Sequence, residues 1–367
     1  MTTTGAGIIG LGYSLPPHVR DNSWWPSDVV AGWRIQSGKR LAAITEWADT
    51  HRDALTDSQV LVVEALKNLA DDPFGGSRLR HVASRETQPS ELEVAAARQA
   101  LDQAQVAAED IDLVLGYSGV PDYLVVPNIC AAHEGLGLRR DILSLSTDAA
   151  CNSFASQLEL ADLYVKSGRA RYVLCIQSAF PTRIMPSTAD YSAWFGDAAT
   201  AVVVGPVEAG DGILAAAHRT DGTQFEATLA TVNGARWYDD GPIHWQVVDR
   251  NASRAMLLNI ADFAAETVRT AVATAGLSLN DVGFYASHQG VSWFRAVTQA
   301  SIGLDGARSF DTFPLTGSTW ACNIPLVMAM GVKERQLRRG DVVATFSGGS
   351  GTTFSSVVMR WCVPDPE

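Results

Sequence analysis

The sequence predicts an α/β protein made of two packed copies of one unit, and three observations predict it. Ala150-Cys151-Asn152 and Ala321-Cys322-Asn323 are one tripeptide repeated 171 residues apart. At the same offset Asp110-Ile111 falls on Asp281-Val282, and Leu101, Ala104 and Val106 fall on Val272, Ala275 and Leu277. At an offset of 170, Tyr172-Val173-Leu174 falls on Val342-Val343-Ala344. Several matches near one offset point to a long duplicated unit. Helix-like and strand-like stretches also alternate in the same order twice. No low-complexity linker separates the halves, drawn at residues 1–208 and 209–367, so they are expected to share one core.

Each element has a local reason. Residues 6–13 read as a short apolar strand ending in Gly-Tyr and a Pro-Pro turn. Residues 21–76 form an insertion carrying Trp24, Trp25, Trp33 and Trp47. Within it Thr56-Asp57 opens a helix with Val60, Val63, Leu66 and Leu69 on one side, and Asp71-Asp72-Pro73-Phe74-Gly75-Gly76 breaks it. An amphipathic helix over 91–104 precedes a buried strand over 111–117. A strand over 143–148 runs into Ala149-Ala150-Cys151. A helix over 152–167 follows, with Phe154, Leu158, Ala161 and Val165 at helical spacing and Gly168 as its stop. Residues 172–176 and 199–204 are β-branched strands; 181–194, between them, have no counterpart in the second half. That half repeats the order: helix 260–275, strand 282–286, a strand and turn near 309–316, helix 323–337, strands 342–346 and 355–361.

The bulk composition narrows the function. With 47% hydrophobic and 19% charged residues the chain has the make-up of a folded globular protein. A net charge of −12 argues against nucleic acid and anionic membranes as partners, since both need a basic face. No basic segment precedes the first apolar stretch, and no apolar run is long enough to span a bilayer. Five cysteines without CxxC spacing fit a reducing cytoplasm and no metal site.

Two residues stand out for chemistry. Cys151 lies where a strand gives way to a helix, so backbone N–H groups and the helix dipole are expected to favour its thiolate; a small buried core residue is the alternative. His288 ends a strand and is followed by Gln289-Gly290, at the strand end where α/β proteins bind ligands. A hydrogen-bonded loop histidine is its alternative. Phe346-Ser347-Gly348-Gly349-Ser350-Gly351-Thr352-Thr353 joins two strands. It lacks the lysine and following helix of a phosphate loop, and reads as a turn whose amides face an oxyanion or as a plain connector.

In this order and context IIGLGYSLPP, TDAACNSFASQLELADLYVKSGRARYVLCIQS, FGDAATAVVVG, FYASHQG, TGSTWACNIP and FSGGSGTTFSSVVMRW resemble the β-ketoacyl-acyl carrier protein synthase III family of the thiolase superfamily. The resemblance implies a duplicated five-layer αβαβα thiolase-like fold and a homodimer. It implies Cys151 as acyl-accepting nucleophile, His288 as catalytic histidine, and the amides of Cys151 and Gly351 as oxyanion hole. Cys322, the repeat counterpart of Cys151, is then inert. The substrate is an acyl thioester of coenzyme A or an acyl carrier protein, transferred in ping-pong fashion without metal or cofactor.

Departures from the family pattern refine this. The family's catalytic asparagine in Gly-Asn-Thr is replaced by Ser318 in Gly317-Ser318-Thr319, with Asn323 five residues on as a substitute or a helix cap. Loss of that donor shifts the expectation from decarboxylative condensation toward acyl transfer onto an oxygen or nitrogen nucleophile, with His288 as general base. Condensation with a malonyl thioester is the alternative, followed by an idle partner subunit or a thioester hydrolase. The tryptophan that stacks on coenzyme A in the family has no equivalent before Ser77-Arg78-Leu79-Arg80-His81, which favours a carrier-protein donor. Arg169 and Arg171, or Arg335, Arg338 and Arg339, are candidates to dock such a carrier. Val126, where the family has a bulkier residue reaching the partner's acyl pocket, predicts room for a larger or branched acyl group.

Overall fold

The computed structural model describes residues 5–365 and contains two sheets with matching strand order. The first runs Gly5–Ser14, Ala198–Val207, Val173–Ala179, Leu113–Ser118, Leu143–Ser146. The second runs Gly212–Thr220, Thr353–Arg360, Val342–Gly349, Val282–Ser287. In both, the first two pairings are antiparallel and the third parallel. The registers correspond as well. Val173 pairs with Leu113 and Val204, while Val343 pairs with Phe284 and Met359. The second sheet's fifth strand is reduced to one parallel bridge between Phe284 and Arg308. The strand expected near 309–316 is instead a loop entering the short helix Phe313–Thr316.

Between the sheets lie the helices Ser153–Lys166 and Asn323–Lys333. Phe154, Leu158, Ala161 and Val165, the stripe seen in the sequence, are all buried there. They share one cluster with Leu115, Cys175 and Val202 of the first sheet and Phe284, Val343 and Val357 of the second. The two units therefore have a common core.

Further helices cover the outer faces. Pro89–Ala104 and Ile129–Leu136 lie on the first sheet; Arg250–Thr274 and Phe294–Ile302 lie on the second. The result is helix, sheet, helix pair, sheet, helix: the five-layer arrangement of the thiolase-like fold. Gly10 and Gly12 make the first of these contacts possible, since a Cβ on either would come within 2.1 Å of a backbone oxygen of Pro89–Ala104. That is the physical content of the glycines in IIGLGYS.

The insertion is mostly helical. Ser27–Thr50 is a long helix that the sequence pattern does not announce, because only Trp33 and Ala48 are buried along it. Asp57–Asn68 follows, its start fixed by a reciprocal capping pair of Thr56 and Gln59. Val62 and Val63 face the core, whereas Val60, expected on that side, is exposed. The indoles of Trp25 and Trp33 donate to the carbonyls of Ser187 (3.1 Å) and Thr188 (2.7 Å), and Arg40 pairs with Asp190. These tryptophans thus seal the Trp-rich insertion onto residues 181–194, as core packing. Among the described residues no helix is long and apolar enough to cross a membrane, and no cluster of three His, Cys, Asp or Glu is placed to hold a metal.

Candidate active site

The turn carrying Cys151 and its repeat counterpart match in conformation, but one residue out of step with the tripeptide. Ala150–Asn152 and Trp320–Cys322 are the paired 3-10 turns, and each opens an inner helix, at Ser153 and Asn323. The first residues of the two turns have positive φ, 51° at Ala150 and 50° at Trp320. The Ser153 hydroxyl accepts the N–H of Ala149 at 2.9 Å, and Asn323 Oδ1 accepts that of Thr319 at 2.8 Å. The structural counterpart of Cys151 is therefore Ala321, not Cys322. Cys322 is buried, its thiol directed at the carbonyls of Gln177 and Ala198.

Cys151 is gripped from the second sheet. Its carbonyl accepts from the Ser347 hydroxyl at 2.9 Å, and Gly349 lies so close that a Cβ there would meet the Ala149 carbonyl at 2.8 Å. The residue keeps some accessible surface, but its sulfur is enclosed by protein. Desolvation pushes the thiol up to about 12, against the pull of the amides of Ser350 and of Cys151 itself. Burial thus opposes the thiolate that the backbone N–H groups favour. The glycine-rich turn presents the Ser350 N–H, not that of Gly351, to the sulfur. Gly351 sits one residue further round the turn at φ 83°, with open space where its Cβ would be. An oxygen beside the sulfur has the amides of Cys151 and Ser350 within reach.

His288 follows the strand Val282–Ser287, and its N–H donates to the Phe346 carbonyl at 2.8 Å. Phe346 and Ser347, adjacent on one strand, thus hold His288 and Cys151. The imidazole is edge-on to Phe294, with ring centres 5.6 Å apart. Burial lowers its pKa to about 4, opposed by the Trp320 carbonyl, so it is neutral at physiological pH.

Asn323 and Ser318 both reach this corner, in different ways. Asn323 Oδ1 takes the Thr319 N–H and hydroxyl, which fixes the orientation of its amide. Its Nδ2 then lies 3.0 Å from His288 Nδ1 and donates to Ser318 Oγ at 3.2 Å. An amide nitrogen has no acceptor capacity, so Nδ1 is the accepting nitrogen and the ring proton sits on Nε2. Asn323 does not cap the helix it starts; its amide ties back to Thr319 and contacts the histidine instead. Ser318, buried, points its hydroxyl at Asn323, and its backbone is tied to Trp194 and Gly196.

Some positioning residues escaped the sequence reading. Gln289 Oε1 accepts the N–H groups of Thr312 and Phe313 while Nε2 donates to Phe310, fixing the loop that leads to Ser318. Ser347 and Ser350 were legible only as part of a glycine-rich turn. Val126 is exposed on the loop after Leu113–Ser118, next to Val125, whose φ is 76°. The two arginine groups are also on the surface.

Comparison with known proteins shows the family. Family models described as 3-oxoacyl-[acyl-carrier-protein] synthase III and its C-terminal region match residues 145–222 and 272–361. A curated β-ketoacyl-[acyl-carrier-protein] synthase III of Rhodospirillum centenum is 31% identical over 291 residues, covering 78% of this chain and 88% of that protein. The chain belongs to the β-ketoacyl-[acyl-carrier-protein] synthase III family. A synthase III of Thiobacillus denitrificans is 30% identical over 288 residues, 78% of this chain and 88% of the other. Among solved structures, the synthase III of Pseudomonas aeruginosa superposes with a TM-score of 0.77 at 22% identity, covering 99% of this chain and all of the other. The priming β-ketosynthase of the R1128 polyketide pathway does so at 0.79 and 22%, covering 100% and 98%. The fold is that of the family, and acyl transfer is the family's chemistry.

Proposed function

We propose that this synthase III relative catalyses decarboxylative condensation of an acyl thioester with a malonyl thioester, through an acyl group held on Cys151. The carrying observation is the hydrogen bond from Asn323 to His288 Nδ1, which supports a proton on Nε2 of the buried imidazole. Acyl transfer to an alcohol or amine needs a histidine nitrogen free to take the acceptor's proton, with Nδ1–H oriented by an acceptor. Condensation needs the opposite, a neutral imidazole donating to the thioester oxygen as charge develops there. The names of the curated relatives support the same reading. It replaces the sequence-based preference for transfer to oxygen or nitrogen, because Asn323 orients His288 as a donor, although its own two N–H bonds are taken by His288 Nδ1 and Ser318 Oγ and none is left for the thioester oxygen.

In the first half-reaction Cys151 Sγ attacks the acyl carbonyl, whose oxygen sits on the amides of Cys151 and Ser350. The C–S bond of the donor breaks, and the thiol proton ends on the departing thiol. In the second, the malonyl thioester loses carbon dioxide. The enolate oxygen is held by His288 Nε2–H, its carbon attacks the acyl carbon, and the Cys151 C–S bond breaks. The released sulfur regains a proton. Family members act on thioesters of carrier protein or coenzyme A; the lost adenine-stacking tryptophan favours carrier protein here. A homodimer is proposed through the edge strand Leu143–Ser146, where Leu143 and Leu145 are exposed.

Intact-mass analysis with acetyl and longer acyl thioesters, followed by malonyl carrier protein, tests this. The expected result is an acyl adduct lost in Cys151→Ala and carbon dioxide released on the second addition. An adduct discharged only by alcohols, amines or water overturns condensation; no adduct with any donor overturns the enzyme reading itself.

A further inference from the structure

The fold requires a positive φ at the first residue of both inner turns, and the two halves meet it differently. Alanine fills the position at 150; a tryptophan fills it at 320, at φ 50°. A bulky residue is sterically disfavoured there. The backbone gains nothing from an indole, so its side chain must account for it.

That side chain lies across the end of the strand carrying Tyr117. A Cβ on Gly119 would meet the Trp320 ring at 2.6 Å and the Tyr117 hydroxyl at 3.0 Å. Gly119 and Trp320 are therefore a matched pair, one bare so that the other fits. Tyr117 is buried, and its hydroxyl and the Trp320 ring both close on Gly119. The turns carrying Cys151 and Trp320 are themselves in contact. Behind the indole, Phe195 stands at 6.5 Å and Trp245 at 5.4 Å from Phe195, with Trp245 anchored by its N–H to Ile184.

We infer that Trp320 is a specificity-determining residue that stops the acyl chamber close to Cys151 and confines the acyl group to a few carbons. It rests on the proposed acylation of Cys151. Short acyl groups then fit and long straight ones do not.

Trp320→Gly tests this well, since glycine takes the positive φ without strain; Trp320→Phe is the conservative companion. Adduct formation on Cys151 is followed by mass spectrometry across straight acyl thioesters from acetyl to decanoyl. Wild type is expected to lose about 10- to 100-fold in rate along the series, which Trp320→Gly abolishes and Trp320→Phe partly abolishes. Retained acetylation in both variants shows that they fold. A chain-length profile identical in wild type and both variants, or a wild type that accepts decanoyl as readily as acetyl, overturns the role of Trp320 and leaves Cys151 acylation standing. No adduct in any protein overturns both.

Discussion

Asn323 Nδ2 lies 3.0 Å from His288 Nδ1, and the other end of the same amide is locked onto Thr319. This fixes the tautomer of the histidine from the start of an inner helix rather than from the loop position where the family keeps its asparagine. The substitution Asn323→Asp keeps an oxygen for the Thr319 N–H and replaces the donor on Nδ1 with an acceptor. The proton then moves to Nδ1, and Nε2 becomes a base. Carbon dioxide release from malonyl thioester should fall about 10²-fold, while hydrolysis of the Cys151 acyl group rises. The pH titration of the imidazole by NMR should shift upward in the same variant. Unchanged decarboxylation with an unchanged titration would falsify the tautomer argument.

The Ser347 hydroxyl donates to the Cys151 carbonyl, and the next residue back, Phe346, accepts from the His288 N–H. One strand therefore sets the spacing between nucleophile and histidine. Ser347→Ala leaves a carbonyl without its partner, which costs about 1–3 kcal/mol of stability. Urea unfolding should show that loss, and Cys151 acylation should slow several-fold with little change in donor KM. A drop in stability with full acylation rate would reduce Ser347 to a packing residue.

The fold and the positions of Cys151 and His288 in it were legible because they rest on patterns that sequence carries directly. The buried stripe Phe154, Leu158, Ala161 and Val165 states a helix, and His288 follows an apolar run that states a strand. The roles of Asn323 and Ser350 were not legible, because they depend on which way a turn points its amides and side chains. The repeated Ala-Cys-Asn even misleads: identical letters occupy backbone positions one residue apart, and only the positive φ of Ala150 and Trp320 shows the true correspondence. The helix Ser27–Thr50 was hidden for a different reason, since its two buried residues are too few to mark a face.

Acid should destabilise the protein through His288. Its folded pKa is about 4 against an ordinary 6.5, so the unfolded chain takes up a proton that the folded chain refuses. The resulting stability is complete above pH 6.5 and lost as pH falls to about 4, a change of at most ~3 kcal/mol. Buried Asp197 acts in the opposite sense. Raised by desolvation to about 6 from 3.8, it contributes fully below pH 3.8 and loses that contribution as pH rises to about 6. Urea unfolding across this range should show a shallower acid loss in His288→Gln than in wild type and a steeper one in Asp197→Asn. Parallel curves for wild type and His288→Gln would exclude the histidine as the source.

The edge strand Leu143–Ser146 leaves Leu143 and Leu145 exposed on its pleat, and the loop leading into Ile129–Leu136, the helix that packs on that strand, has Val125 fully exposed and Val126 more than half so. An unprotected apolar edge of this kind favours pairing with another strand, and a second copy of the same edge is self-complementary. Leu145→Lys places like charges opposite each other across such a two-fold contact. Sedimentation should show wild type as a dimer and the variant as a monomer of unchanged helix and strand content. If Val126 completes the partner's acyl chamber, the monomer should also lose its preference among short acyl thioesters, because its chamber is then open on that side. Val126→Phe, which keeps the dimer, should narrow the preference to acetyl instead. A wild type that sediments as a monomer while still discriminating among acyl groups would remove the partner from the chamber altogether.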